Sequence, residues 1–178
     1  MWKSLLLGSI VAILFLFALG LRNDPRFIPS PLENRPAPHF IAPTLDGKNQ
    51  VRFPQDFPNK WVLVNFWGSW CGGCAMEHPY LMLLAKKTQT TPDFAMVGVD
   101  FKDTLENANL FLRQYGNPGY PQAFDPNQRI AIDWGVYGAP ESYLVDPSGR
   151  IVLKVTGMLQ EGWFEKEVLP RIQAGKKP

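Results

Sequence analysis

The sequence predicts an α/β domain with a central mixed sheet flanked by helices, and three observations carry that prediction. An apolar run rich in aromatic and β-branched residues, 61–66, leads to the chain's two cysteines, and a helical pattern starts directly after them. A second buried-strand pattern, 95–101, is again followed by an apolar-periodic stretch. Two further runs, 142–145 and 151–156, flank Asp146-Pro147-Ser148-Gly149, a turn signal that pairs them antiparallel.

Taken in order, residues 4–21 carry no charge and are dominated by Leu, Ile, Val, Phe and Ala, between Lys3 and Arg22. That length just suffices to cross a bilayer core as a helix. A cleavable signal peptide is the rival reading, because Ala18-Leu19-Gly20 offers small residues to a signal peptidase. The long run, with no Ser/Thr-rich stretch near its end, favours a retained N-terminal membrane anchor over residues 1–22. Prolines at 25, 29, 31, 36 and 38 make residues 23–38 an extended, semi-rigid tether, so the folded domain is expected over 39–178. Residues 40–44 and 50–53 read as a β-hairpin extension around Asp46-Gly47. After the cysteines, Leu81, Leu84 and Ala85 recur at helical spacing, to about Lys86 and Lys87. Asp103-Thr104 caps a helix through Leu105, Leu112 and Tyr115, and 117–121 (Asn-Pro-Gly-Tyr-Pro) breaks the chain. A short helix is expected over 128–134 and a last one from Glu161 to about Gln173, with Pro170 weakening its final turns.

Charge excludes one class of partner. Setting aside Lys3 and Arg22 leaves 16 Lys and Arg against 16 Asp and Glu, with no basic run interleaved with aromatics, so nucleic acid is not expected. Two cysteines are also too few for a disulfide scaffold.

The chemistry lies in Trp70-Cys71-Gly72-Gly73-Cys74. A strand that runs into C-x-x-C at a helix start is the context of a redox dithiol. Unpaired N–H groups and the positive end of the macrodipole favour a thiolate there. Cys71, the more N-terminal and more exposed of the two, is therefore expected to be the nucleophile, and Cys74, one turn inside, the resolving thiol. The redox group is then the Cys71–Cys74 disulfide itself, with no other cofactor. A zinc site needs about four ligands, and the chain offers two Cys, the distant His39, and His78, which could share a helix face with Cys74. A c-type haem site needs His directly after the second Cys, where Ala75 stands. A structural disulfide across so short a loop gains little chain entropy.

The order of elements around W-C-x-x-C resembles the thioredoxin fold. A second carrier is Gly135-Val136-Tyr137-Gly138-Ala139-Pro140-Glu141. By this resemblance Pro140 is a cis-proline lying against the dithiol, and its neighbours Ala139 and Glu141 face the substrate chain. A plain trans proline in a loop is the alternative. In detail the chain resembles the membrane-anchored thiol–disulfide proteins of cytochrome c maturation, the CcmG/DsbE type. The carriers are 36–40 (Pro-Ala-Pro-His-Phe), 64–71, Glu77-His78-Pro79, 99–103, Asn117-Pro118, 135–141, Gly157 and Trp163. Departures are Gly72-Gly73 where relatives often have a proline, Ser142 for Thr, and Asn34 where a glycine often stands.

The resemblance implies a reductant held in the periplasm by a single-pass anchor in the bacterial inner membrane, acting as a monomer. It would be recharged by a membrane electron donor of the thiol-reducing type and would reduce apocytochrome c or a partner thiol protein of its maturation. Asn65 occupies the place of thioredoxin's buried acid, and Glu77 is expected to replace that acid beneath the dithiol. A carboxylate there raises the thiol pKa and favours giving electrons away; the plainer reading of Glu77 is an acid in the first helical turns. Glu141 is expected to flank the dithiol or contact a partner, the alternative being a solvated loop charge. Trp70 either packs or shapes the surface around Cys71, and Trp67 is core. Two other functions stay open: an anchored reductase for a different exported target, and a tethered module that holds apocytochrome without using the dithiol. A peroxidase of this fold is disfavoured, because its reactive Cys normally follows Pro and Thr.

Overall fold

The computed structural model describes residues 34–175, together with Trp2, Leu6, residues 8–10 and Phe17, which are helical. The rest of the expected anchor over 1–22, and the tether as far as residue 33, lie outside the described residues. Among the described residues no helix is long and apolar enough to cross a membrane.

Five strands form the main sheet: β3 (Trp61–Trp67), β4 (Phe94–Phe101), β5 (Gln122–Asp125), β6 (Glu141–Val145) and β7 (Ile151–Thr156), in the spatial order β5-β4-β3-β6-β7. The first three run parallel, while β6 and β7 are antiparallel, so the sheet is mixed as expected. The hairpin is β1 (Phe40–Pro43) with β2 (Gln50–Phe53), stitched to the edge of β5 by a Thr44–Ala123 bridge and the Leu45 N–H to Gln122 carbonyl bond of 3.0 Å. Among residues 34–175 the α-helices are α1 (Gly72–Thr90), α2 (Leu105–Tyr115), α3 (Arg129–Asp133) and α4 (Leu169–Ala174).

Strand β3 is central and buried on both faces, which is why its sequence is a nearly continuous apolar run. Alternation sends Val62, Val64 and Phe66 into a cluster with Phe40, Phe53, Trp134 and Tyr143. The opposite face carries Leu63, which packs with Leu81 and Leu84 of α1, and Trp67, which packs with both cysteines and Phe111. Asn65 falls between these two on the α1 side, so the pleat itself delivers one amide beneath the dithiol helix.

Four expectations need correction. Strand β5 was not anticipated, because it is a short edge strand of mixed polarity directly behind Pro118 and Pro121. It pairs with β4 through 98–101 and 122–125. Helix α1 continues to Thr90, where Thr88 and Thr90 hydroxyls bond the carbonyls of Ala85 and Lys87. The folded domain already includes Asn34: Asn34 N–H meets the Ile151 carbonyl at 2.7 Å and Ala37 N–H the Gly149 carbonyl at 2.9 Å, so residues 34–37 are docked along β7 and its turn. The last helical stretch opens at Phe164 with one wide turn, Phe164–Val168, after Gly162 at φ +83°. Pro170 then sits at the start of α4, where a missing N–H costs little.

Candidate functional site

Strand β3 ends at Trp67 and the chain turns through Gly68, Ser69 and Trp70 before α1 begins. The end of β4 grips that turn. Ser69 N–H donates to Asp103 Oδ2 at 2.6 Å, and Trp70 Nε1 donates to the Phe101 carbonyl at 3.3 Å. A Cβ on Gly68 would lie 2.4 Å from Trp70 Nε1, so the indole can fold back only over a glycine. Trp70 is half-exposed, with its edge on Phe101, and so both packs and forms surface.

Cys71 is the N-cap of α1, and its Sγ accepts the Cys74 N–H at 3.0 Å. The two sulfurs are bonded, with Cα atoms 5.2 Å apart, so this is the oxidised pair. Both cysteines are buried, Cys71 at 5% exposed and Cys74 at 3%. Both pack among Trp67, Ala108 and Phe111, and Pro140 closes over the turn between them. The Ala139–Pro140 bond is cis. Ala139 packs against the cluster holding both cysteines, and a Cβ on Gly73 would meet Pro140 Cδ at 3.1 Å. Glycine at position 73 thus lets the proline ring close directly on the helix tip. The Pro140 carbonyl is held by Gly157 N–H at 2.9 Å.

Glu77 is 2% exposed, beneath the first turns of α1. Its Oε1 accepts the Leu159 N–H at 2.6 Å and its Oε2 the Asn65 amide at 3.3 Å. Burial pushes its pKa up to about 7, against the lowering effect of those two donors. It is therefore a buried acid in the dithiol helix, not a solvated charge on the helix dipole. Three residues apart on one helix, Glu77 and Cys74 are neighbours.

Glu141 is placed otherwise than expected. Its carboxylate is 1% exposed, so neither a solvated loop charge nor a side chain at the surface describes it. Oε2 lies 3.0 Å from Lys154 Nζ, which is itself 3% exposed, and 3.2 Å from the Tyr143 hydroxyl. Oε1 accepts the Tyr137 N–H at 3.3 Å.

Sequence reasoning gave no role to Lys154, Leu159 or Asp100. A lone lysine in the apolar strand 151–156 was the available signal for the first. Asp100 is fully buried at the end of β4, and neither of its carboxylate oxygens has a hydrogen-bond partner. Burial, and then the Asp103 carboxylate, push its pKa up to about 9, which leaves it neutral at pH 7. His78 donates from Nε2 to the Gly116 carbonyl at 2.7 Å, and burial lowers its pKa. Among the described residues no group of three His, Cys, Asp or Glu could hold a metal ion.

A mixed sheet that delivers a reversible disulfide to a helix tip, closed by a cis-proline from the neighbouring strand, defines the class: thioredoxin-like thiol–disulfide oxidoreductases. Comparison with known proteins gives the same class. The profile of the AhpC/TSA family matches residues 34–154. The chain is 39% identical over 173 residues to the thiol:disulfide interchange protein DsbE of Allochromatium vinosum, covering 96% of this chain and 93% of that one. The DsbE protein of Escherichia coli is 35% identical over 150 residues, 83% of this chain and 78% of that one. Among solved structures, the thioredoxin domain of a thiol-disulfide oxidoreductase from Bacteroides vulgatus superimposes with a TM-score of 0.65 at 26% identity, covering 75% of this chain and 94% of that one. The chain belongs to the DsbE-type thiol:disulfide interchange proteins of the AhpC/TSA family.

Proposed function

We propose that this protein is a periplasmic, membrane-anchored reductant of c-type cytochrome maturation, with apocytochrome c or a maturation thiol protein as its target. Cys71 thiolate attacks the target disulfide, forming a Cys71–target bond and releasing one target thiol. Cys74 then attacks the Cys71 sulfur, releasing the second target thiol and closing the Cys71–Cys74 disulfide. Two electrons pass to the target, and a membrane thiol donor returns them. The Cys74 N–H, 3.0 Å from Cys71 Sγ at the helix tip, supports Cys71 as the thiolate.

The observation that carries the reductive direction is the buried Glu77, with a pKa of about 7. When ionised, it raises the energy of a thiolate one turn away, and destabilising the reduced form makes a better electron donor. Ala139 and Pro140 offer the wall against which the target's cysteine segment lies, while the half-exposed Trp70 forms surface beside Cys71.

A Cys74→Ser variant is expected to trap target proteins on Cys71 in cells. Absence of any mixed disulfide would contradict the mechanism. Deletion should abolish c-type cytochromes and leave other exported disulfide proteins folded; the reverse pattern would assign the reductase to another target. A variant with both cysteines changed to Ser that keeps biological activity would instead indicate a holding module.

A further inference from the structure

The loop that carries the cis-proline wall is fastened from beneath by a buried lysine. Lys154 Nζ has three N–H donors and three acceptors around it. These are Glu141 Oε2 at 3.0 Å, the Gly135 carbonyl at 3.0 Å, and the face of the Tyr137 ring, whose centroid is 4.2 Å away. The Tyr143 ring lies 5.2 Å off, directly across the β6–β7 ladder from Lys154. One ammonium therefore ties β7, β6 and both ends of loop 135–141 into a single unit.

Tyr137 is the part of that unit that faces outward. It is 61% exposed, although its inner face is pinned over the cation. An exposed aromatic normally keeps rotamer freedom, which it loses when a partner docks; a ring already fixed in place avoids that loss. The same loop ends at Ala139 and Pro140 on the dithiol, and Met158, also exposed, approaches the Gly73 position to 3.9 Å. Tyr137 stands three residues before Pro140 and Trp70 directly precedes Cys71, so with Met158 three exposed apolar side chains belong to the segments that meet at the dithiol.

From this geometry we infer that Lys154 is a positioning residue for target recognition: it holds Tyr137 as a rigid anchor for an apolar side chain next to the target's cysteines. The inference rests on the thiol–disulfide reading of the site. Glu141 serves the same unit as counter-ion to Lys154, without touching the target.

The test compares two probes reduced by the full chain: a peptide carrying an oxidised Cys-x-x-Cys-His segment, and a small symmetric aromatic disulfide. The readout is the ratio of kcat/KM for the peptide to that for the small disulfide. Tyr137→Ala is expected to lower this ratio about tenfold, mainly through KM. Lys154→Met alone leaves Glu141 buried without its cation and can fail to fold, so the working variant is Lys154→Met with Glu141→Gln, which removes both charges. It should lower the ratio as much as Tyr137→Ala does, and adding Tyr137→Ala to it should do no more, because the two changes act on one contact. Lys154→Arg should restore most of the ratio. A charge-free pair with the wild-type ratio, or a Tyr137→Ala effect of equal size in both backgrounds, overturns this inference alone. Wild-type protein that reduces neither probe overturns the thiol–disulfide reading with it.

Discussion

Two glutamates stand in the elements that carry the site, and both are withdrawn from solvent: Glu77 is 2% exposed beneath α1, and Glu141 is 1% exposed beneath the cis-proline loop. Their surroundings differ in one respect. Glu141 has an ammonium 3.0 Å away, whereas Glu77 has one backbone N–H and one amide. The pKa of Glu77 rises to about 7 because two neutral donors do not replace the water lost on burial. Burial alone does not decide what a carboxylate contributes; its partner does. One glutamate is neutralised by an ammonium, and the other is held by neutral donors on the helix that carries the sulfurs.

The comparison can be broken most forcefully from the Lys154 side. Lys154→Met should cost about 3–5 kcal/mol of unfolding free energy in denaturant titration, since it leaves a buried charge without its cation. A loss below about 1 kcal/mol would mean that Glu141 is not held as an ion pair. Glu77 should instead show itself in pH dependence. Its folded pKa lies above its ordinary value, so the folded state binds that proton more tightly than the unfolded chain does. The resulting stability is complete below about pH 4.5 and is lost as pH rises through about 7, amounting to about 3 kcal/mol. Glu77→Gln should flatten that slope and be the more stable protein at pH 8; an unchanged slope would remove Glu77 from the account. Asn65→Ala withdraws one donor from Glu77 and should cost about 1 kcal/mol more at pH 8 than at pH 5, measured by the same titrations. Trp70→Phe, which touches neither glutamate, should lose only the bond to the Phe101 carbonyl, about 0.5 kcal/mol and independent of pH.

The fold was legible where a pattern is local. Residues 61–66 read as a buried strand because both faces of β3 are covered, and Thr104 caps α2 as its sequence implies, accepting the Asn107 N–H at 3.2 Å. Strand β5 was not legible: its four residues have no apolar run of their own and become a strand only through pairing with β4. At the site, the dithiol stands in a motif of fixed spacing that the sequence shows directly, and cis-Pro140 follows from the resemblance to thioredoxin. The surroundings of Glu77 and Glu141 depend on Leu159 and Lys154, which reach them from the far end of the chain. Alternation in β7 gives Lys154 a face but does not say what it meets there. The burial of Cys71 has the same cause, since Trp67, Ala108, Phe111 and Ala139 come together around both cysteines only after the sheet is assembled.

The central claim is that an ionisable acid buried beside the helix tip makes the Cys71–Cys74 pair a donor of electrons. Equilibrating the wild-type domain and Glu77→Gln with mixtures of reduced and oxidised glutathione, at pH 6 and at pH 8, tests it directly. The account predicts a wild-type couple more reducing than glutathione at pH 8, a Glu77→Gln couple that is less reducing there, and convergence of the two at pH 6. A wild-type couple as oxidising as an enzyme that installs disulfides, or a Glu77→Gln couple identical to it at both pH values, would contradict it.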